Sequence, residues 1–237
     1  AVEAHAGKVG AKAIRISGGR SEVIGERCIG CGNCVRVCSQ KAKQYYDSIP
    51  KTRALLQNGL KTAAILAPSF PAEFTDIEPG RLVTMIRRLG FDPVCEVAFG
   101  ADLVAAAYRK LIQDHPDRRH IATTCPAIVA FVEKYHPGLV PSLAPIASPM
   151  IATARVLRRR YGGGLQIVFI GPCLAKKVEG SRRRREDRRE VDAILTFTEL
   201  RNMFREEGLE PTSLEPADFD PPYPGMGALF PISGGML

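Results

Sequence analysis

Apolar and polar positions alternate in two different periods through most of the chain beyond residue 60. Continuous apolar runs at residues 62–67 and Gln166–Ile170 predict strands that are buried on both faces. Apolar positions at helical spacing follow the first run, at Leu82, Met85, Ile86 and Leu89. The alternation of strands and helices predicts an α/β domain with a mostly parallel sheet.

Shorter signals extend this alternation along the chain. Further strands are predicted at residues 93–98, 120–123 and 191–195. Between the first two of these, Leu103, Ala107 and Leu111 are predicted to line the buried face of a helix. Thr196 and Glu199 have the spacing of a capping box, which predicts that a helix begins there.

The amino-terminal part carries a cysteine run instead of this alternation. The run has the spacing C-x2-C-x2-C-x3-C of bacterial-type ferredoxins, at Cys28, Cys31, Cys34 and Cys38. Gly30 and Gly32 give the backbone the freedom to turn tightly around a cluster. A structural zinc site would show two separated C-x2-C pairs, and a disulfide framework suits a short secreted chain. The run therefore predicts a 4Fe–4S cluster, with zinc or an empty site as the alternatives.

The fourth ligand of this cluster is open from the sequence. In two-cluster ferredoxins the fourth cysteine of each run binds the other cluster, so Cys38 should point away from the first cube. Residues 8–14 resemble the end of a sister run, but Val9 and Gly10 stand where Cys-Pro belongs. Either Cys38 completes the cube or the cube lacks one protein ligand. Short strands around Gly18 complete a predicted ferredoxin-like domain at 1–45 with a degenerate first half, before a main domain at 60–237.

Composition and charge limit the classes of protein to which the chain can belong. Hydrophobic content of 45% and charged content of 24% are ordinary for a globular protein, and seven cysteines predict a reducing, cytoplasmic environment. We find no apolar run that predicts a membrane span and no signal-peptide pattern. The net charge is +8, and residues 182–185 are all arginine. Acids follow this run and no aromatic residue interleaves it, so a solvated loop is favoured over an acidic redox partner or nucleic acid.

Two further cysteines each follow a predicted strand and adjoin a proline. Cys125 precedes Pro126, and Cys173 follows Pro172. Ligands of open α/β sheets bind beyond the carboxyl ends of the strands, where both cysteines would lie. Lone cysteines are more often buried apolar residues, so the neighbouring sequence has to decide.

That neighbourhood resembles the catalytic domain of iron-only (FeFe) hydrogenases. Residues 123–128 (TTCPAI) are similar to the family's T-S-C-C-P-A-W motif, and residues 172–177 (PCLAKK) match P-C-x-x-K-K. Residues 99–103 and 191–196 are similar to the F-A-A-D-L and D-V-D-A-V-L-T motifs. The resemblance implies the family's α/β fold and an H-cluster. It also implies that Cys125 and Cys173 bind the cubane of that cluster, while Lys176 hydrogen-bonds a cyanide of the two-iron subsite.

The chain departs from the family at three points. Thr124 replaces the family's proton-relay cysteine, and a hydroxyl has a far higher pKa than a thiol. Ile128 replaces a tryptophan, and the family's C-x3-C motif, which holds the other two cubane ligands, is absent from these 237 residues. The remaining Cys95 lies within a strand and is predicted to be an inert core residue. The H-cluster ligand set is therefore incomplete.

These features predict an iron–sulfur protein for electron transfer or redox sensing, similar to the sensory hydrogenases. Its partner would be a redox protein such as a ferredoxin, or a signalling domain. One alternative is a fragment of an active hydrogenase completed by a missing segment, so enzymatic activity stays open. The other is a binding module without redox function whose clusters are vestigial.

Overall fold

A computed structural model describes residues 11–182 and 189–235 and divides into two compact units. The first, called here the cysteine unit, comprises described residues 11–46 with Arg119–Pro145 and Cys173–Glu179. The second, the sheet unit, comprises the described residues of Asp47–Arg118, Ile146–Pro172 and Gly180–Leu237. The domain boundaries 1–45 and 60–237 stay a prediction.

The secondary structure elements are numbered in chain order. The strands are β1 (Ile14–Ser17), β2 (Arg20–Val23), β3 (Thr62–Leu66), β4 (Val94–Glu96), β5 (Gln166–Ile170) and β6 (Ala193–Leu195). The helices are α1 (Asn33–Arg36), α2 (Ile49–Gln57), α3 (Phe70–Glu73), α4 (Pro79–Arg88), α5 (Ala98–Asp114), α6 (Pro126–Tyr135), α7 (Pro149–Tyr161), α8 (Leu174–Ser181) and α9 (Phe197–Glu206). Short 3-10 helices cover Pro137–Ser142, Pro211–Ser213 and Met226–Leu229.

The sheet unit is built on a parallel sheet with the strand order β4-β3-β5-β6. Every residue of β3 is buried, as expected for a central parallel strand covered on both faces. In the register, Ile65 pairs with Cys95 on one side and Phe169 on the other. Helix α7 packs on β3, α4 on β4, and α2 and α9 on β6. The prediction of an α/β fold with a mostly parallel sheet is confirmed.

Three local predictions need correction. The strand predicted at 93–98 is only Val94–Glu96, and residues 120–123 form a single bridge between Ile121 and Leu143 instead of a strand. The buried face of α5 runs through Val104, whereas Leu103 is 42% exposed. The face is shifted because Gly100 of α5 packs against α7, where an added Cβ would lie 2.2 Å from Thr153 Oγ1.

Two aspartates in the family-like motifs hold backbone segments in the sheet unit. The Asp102 carboxylate accepts hydrogen bonds from the amides of Gly225 and Gly227, at 2.7 and 2.6 Å. The Asp192 carboxylate accepts one from the amide of Ile167, at 2.8 Å. These bonds satisfy backbone amides, two of them partly buried, so these motif positions contribute to folding.

The predicted capping box at the start of α9 is present and extends beyond the helix. Thr196 Oγ1 accepts from the amide of Glu199, and Glu199 accepts from the amide of Thr196 at 2.6 Å. The Glu199 carboxylate also accepts from the amide of Ser48, at 2.7 Å, and Glu199 is 4% exposed. One buried carboxylate thus ties the start of α2 to the start of α9.

Replacing Glu199 with alanine should lower the free energy of unfolding by about 3 kcal/mol, since it leaves buried amides without their charged acceptor. Urea denaturation measures the loss. The matched control is Glu207→Ala, because Glu207 is exposed and bonds only at the surface to Arg53. That variant should change the unfolding free energy by about 0.5 kcal/mol or less. Equal effects of the two substitutions would contradict this account of Glu199.

Two further predictions concern a membrane span and the arginine run. Across residues 11–182 and 189–235, none of the helices is long and apolar enough to cross a membrane. The arginine run at 182–185 lies outside the described residues from position 183 onward.

Candidate metal centre

The cysteine run forms a tight loop that leads into the short helix α1. Gly30 and Gly32 have φ angles of 72° and 74°, in the left-handed region that favours glycine. The amide of Gly30 points at the sulfur of Cys28, with an N-to-Sγ distance of 3.4 Å. A hydrogen bond from a backbone amide to sulfur stabilises a thiolate, which is the form that binds iron. The conformational role predicted for the two glycines is thus present.

Three of the four cysteines of the run line one cavity. Cys28, Cys31 and Cys34 face it, and the rest of the lining is mostly apolar: Ala11, Ala13, Ile14, Val23, Ile29, Gly32, Asn33 and Val37. Burial raises the pKa of the Cys34 thiol, and the neighbouring Cys28 and Cys31 raise it further. The three sulfurs therefore lie within electrostatic reach of one another.

The donor set of the cavity fits an iron–sulfur cluster. Its thiols belong to a run with the ferredoxin spacing C-x2-C-x2-C-x3-C. A four-iron cube binds each thiolate through a different iron. Sulfur donors, an apolar lining and the Gly30 amide fit such a cube.

Cys38 lies apart from this group. It is partly exposed and, in the described structure, is outside the lining of the cavity. Hydrogen bonding by the backbone amide of Ala42, helped by those of Lys43 and Gln40, lowers the pKa of its thiol.

Helix α8 closes on the loop at both glycines. A Cβ added to Gly32 would lie 2.5 Å from Leu174 Cδ1, and one added to Gly30 would lie 2.9 Å from Val178 Cγ2. A side chain at either position would require Leu174 or Val178 of α8 to move. The sequence indicates only the conformational role of the glycines, because Leu174 and Val178 are more than 140 positions away along the chain.

Helix α6 forms hydrogen bonds to the same loop through its last two residues. Lys134 Nζ donates to the carbonyls of Cys28 and Gly25, at 2.7 and 3.1 Å. The Tyr135 hydroxyl donates to the carbonyl of Arg27 at 2.8 Å and also to that of Ala11. The sequence does not predict these contacts, since the partners are backbone atoms more than 100 positions upstream.

Cys125 and Cys173 are brought into the same unit, each immediately before a helix that packs on the loop. Cys125 is exposed at the N-cap of α6, and Cys173 is partly buried just before α8. Cys173 packs against a small core in which alanine dominates: Ala11, Ile29, Ala127, Ala130 and Ala175. The two cysteines therefore share one compact unit despite their separation of 48 residues.

Lys176 connects the segments that carry these two cysteines. Its ammonium donates to the carbonyl of Thr124 at 3.2 Å and to the carboxylate of Glu179 at 2.6 Å. The side chains of Lys176 and Glu179 are each only 12% exposed. The positive charge thus lies next to Cys125, between the starts of α6 and α8.

Cys95 is the inert core residue that the sequence predicts. It is completely buried in β4, and burial, followed by the nearby Asp220 carboxylate, raises the pKa of its thiol to about 12. Such a thiol stays protonated and is a poor metal ligand.

Two protein families match the chain, one in its amino-terminal part and one in the remainder. Residues 22–44 match the 4Fe-4S binding domain, and residues 60–237 match the iron only hydrogenase large subunit, C-terminal domain. The second match covers about three quarters of the 237 residues. The chain belongs to the iron-only hydrogenase large subunit family. As a member of this family it is a 4Fe–4S-binding, hydrogenase-related protein, and the match at 22–44 contains all four cysteines of the run.

Curated relatives of this family member include hydrogenases and assembly factors. It is 30% identical over 174 residues to Iron hydrogenase 1 of Clostridium pasteurianum, covering 67% of this chain and 30% of that protein. It is 28% identical over 242 residues to the NADP-reducing hydrogenase subunit HndD of Solidesulfovibrio fructosivorans, with coverage of 89% and 41%. It is 25% identical over 213 residues to the cytosolic Fe-S cluster assembly factor NAR1 of Yarrowia lipolytica, with coverage of 77% and 43%.

A solved structure with the same fold is apo [FeFe]-hydrogenase HydA1 from Chlamydomonas reinhardtii. The TM-score is 0.66 at 25% identity, covering 75% of this chain and 52% of that one. This family member thus spans less than two thirds of each of these proteins. The likeness to hydrogenases predicted from the motifs is confirmed, and the relation to assembly factors is new.

Proposed function

We propose that this protein transfers single electrons through a 4Fe–4S cluster bound by Cys28, Cys31 and Cys34. The observation that carries the proposal is the grouping of these three thiols around one largely apolar cavity, with Cys31 exposed at its edge. A cluster that is shielded on most sides keeps its ligands, while an exposed ligand gives electrons a short route to a partner. Redox sensing would use the same site with a signalling domain as the partner.

The residues around the cavity have distinct roles in electron transfer. The bound cluster would supply reversible one-electron chemistry. The Gly30 amide stabilises negative charge on the Cys28 sulfur, and the Lys134 ammonium, which donates to the Cys28 carbonyl, adds a positive charge nearby. Both interactions favour the reduced, more negative state of a cluster. Leu174 of α8 packs against Gly32 and keeps the loop in place.

The second pair of cysteines has a different part in the proposal. Cys125 and Cys173 supply two of the four thiolates that a cubane needs, so an H-cluster would need two more ligands. Lys176 is engaged by Glu179 and by the Thr124 carbonyl, and we assign it a positioning role between α6 and α8. Hydrogen turnover is not part of the proposal for these 237 residues.

A second candidate function is the handling of clusters during iron–sulfur assembly, in the cytosol. Several curated relatives are named as cytosolic Fe-S cluster assembly factors, among them one from Drosophila virilis that is 28% identical over 248 residues and is matched by 89% of this chain. The cysteines of the described chain are free thiols, as this compartment requires. A carrier of this kind would pass its cluster to another protein, whereas an electron-transfer protein keeps it.

Anaerobic redox titration followed by electron paramagnetic resonance tests the first candidate. The reconstituted protein should accept one electron per cluster, show the signal of a reduced 4Fe–4S cluster and return to its starting spectrum on reoxidation. A cluster that breaks down on the first reduction would overturn electron transfer. Rapid transfer of iron and sulfide to an apo-ferredoxin would favour the assembly role instead.

A further inference from the structure

The cavity at the cysteine run offers fewer strong ligands than a cube has irons. Cys28, Cys31 and Cys34 supply three thiolates, whereas a four-iron cube takes a ligand on each iron. Among the described lining residues the other polar side chain is the amide of Asn33, and the remainder are apolar or glycine. Amide oxygens suit hard cations, while iron–sulfur clusters select thiolates. One iron of the cube is therefore left without a strong ligand from this lining.

The other cysteines of the chain do not fill this position. All seven cysteines lie in the described part of the chain, and four of them are outside the lining of the cavity: Cys38, Cys95, Cys125 and Cys173. Residues 1–10 contain no cysteine, and Val9 stands where a sister run would carry one. The ligand set that the sequence leaves open is thus three cysteines in the structure.

We propose that Cys28, Cys31 and Cys34 leave the fourth iron of their cube open to an exchangeable ligand, a small anionic thiolate from solution. The inference rests on the proposed cluster site and adds a ligand-binding position to it. The bond that forms joins this iron to the sulfur of the incoming thiol. The thiol gives its proton to solvent and displaces a solvent molecule, so no electron is transferred.

The surroundings of the cavity favour the entry of a small anion. Cys31 is exposed, and Cys28 and Cys34 are only partly buried, so solution reaches this part of the loop. The described residues of the cysteine unit carry eleven Lys and Arg against four Asp and Glu, a net charge of +7. Positive potential raises the local concentration of anions. A thiol that also carries carboxylates, such as glutathione, combines this charge preference with the sulfur donor that iron–sulfur clusters select.

Stoichiometric oxidation with ferricyanide tests the open position on the anaerobically reconstituted full chain. Ferricyanide takes one electron from the cube, which releases one Fe²⁺ to solution and leaves a three-iron cluster. Iron should fall from about four to about three atoms per chain, while sulfide stays at about four. Electron paramagnetic resonance should show the three-iron cluster. A cube that keeps all of its iron would overturn this inference and leave the proposed electron transfer standing.

Refilling the emptied position tests the class of ligand. Adding a Mössbauer-active isotope of iron with dithionite as the electron donor labels this position alone. Glutathione should change the Mössbauer spectrum of the labelled iron, whereas S-methylglutathione should not, because it has the same carboxylates but no thiol. A labelled iron that responds to neither compound, or equally to both, would overturn thiolate binding.

Two substitutions test the competing ligands within the chain. Cys38→Ser should leave both the iron loss and the response to glutathione unchanged, since Cys38 does not line the cavity in the described structure. His5→Ala should do the same, although His5 is the one histidine in the segment 1–10. If the unchanged protein resists oxidation and either variant loses an iron, that residue is the fourth ligand and the position is not open. A chain that forms no cube at all would overturn the proposed function together with this inference.

Discussion

Replacing Cys34 with serine should abolish cluster binding, reducing iron from about four atoms per chain to less than one. Burial raises the pKa of the Cys34 thiol, Cys28 and Cys31 raise it further, and all three cysteines line the cavity. A serine hydroxyl is a poor ligand for iron because its pKa is far above that of a thiol. Iron and acid-labile sulfide analysis after anaerobic reconstitution measures the loss.

Two further cysteines serve as controls for this result. Cys95→Ala should keep the cluster, because Cys95 is buried in β4 of the sheet unit. Cys38→Ser should also keep most of the iron, because Cys38 does not line the cavity in the described structure. Equal loss of iron in Cys38→Ser and Cys34→Ser would show that Cys38 completes the cube, contrary to this grouping.

Replacing Gly32 with alanine should destabilise the cysteine unit by about 3 kcal/mol. An alanine in the left-handed region costs about 1 kcal/mol, and forcing a methyl group into a packed contact costs about 1–3 kcal/mol more. The contact is with α8, where the new Cβ would be 2.5 Å from Leu174 Cδ1. Denaturant unfolding of the apo-protein, monitored by probes in the cysteine unit, measures the change.

Gly19→Ala is a matched control for the conformational part of this effect. Gly19 has a φ of 73°, close to that of Gly32, but nothing lies within 4 Å of an added Cβ. Gly19→Ala should therefore cost only about 1 kcal/mol. The double variant Gly32→Ala, Leu174→Ala should recover part of the loss, because it removes the side chain that clashes. Equal effects of Gly19→Ala and Gly32→Ala would contradict the packing of α8 on the loop.

The sheet unit was predictable because its signals are local. The apolar runs of β3 and β5 and the capping box at Thr196 each involve residues within a few positions of one another. The errors came from contacts made at a distance. The face of α5 is set by the approach of α7 at Gly100, and the residues around Ile121 form only one bridge.

The candidate site was predictable in its chemistry but not in its assembly. The spacing of the cysteine run predicts a cluster, and the motifs around Cys125 and Cys173 indicate the family. No pattern in the sequence indicates that the helices starting after these two cysteines pack on the cluster loop. Lys134 and Tyr135 bind backbone carbonyls, which leave no trace in the sequence of their partners.

In the cysteine unit, segments that are far apart in the sequence pack on one another. Its cluster loop is held by α6 and α8, and each of these helices begins directly after a cysteine of a hydrogenase-like motif. Two helices thus connect the cluster loop with the segments that carry Cys125 and Cys173.

One count tests the central claim, which is that the amino-terminal cysteines bind an iron–sulfur cube. Metal and sulfide analysis of the anaerobically reconstituted full chain should give about four irons and four sulfides per molecule. A single zinc without sulfide, or a folded protein that binds neither iron nor sulfide, would contradict it.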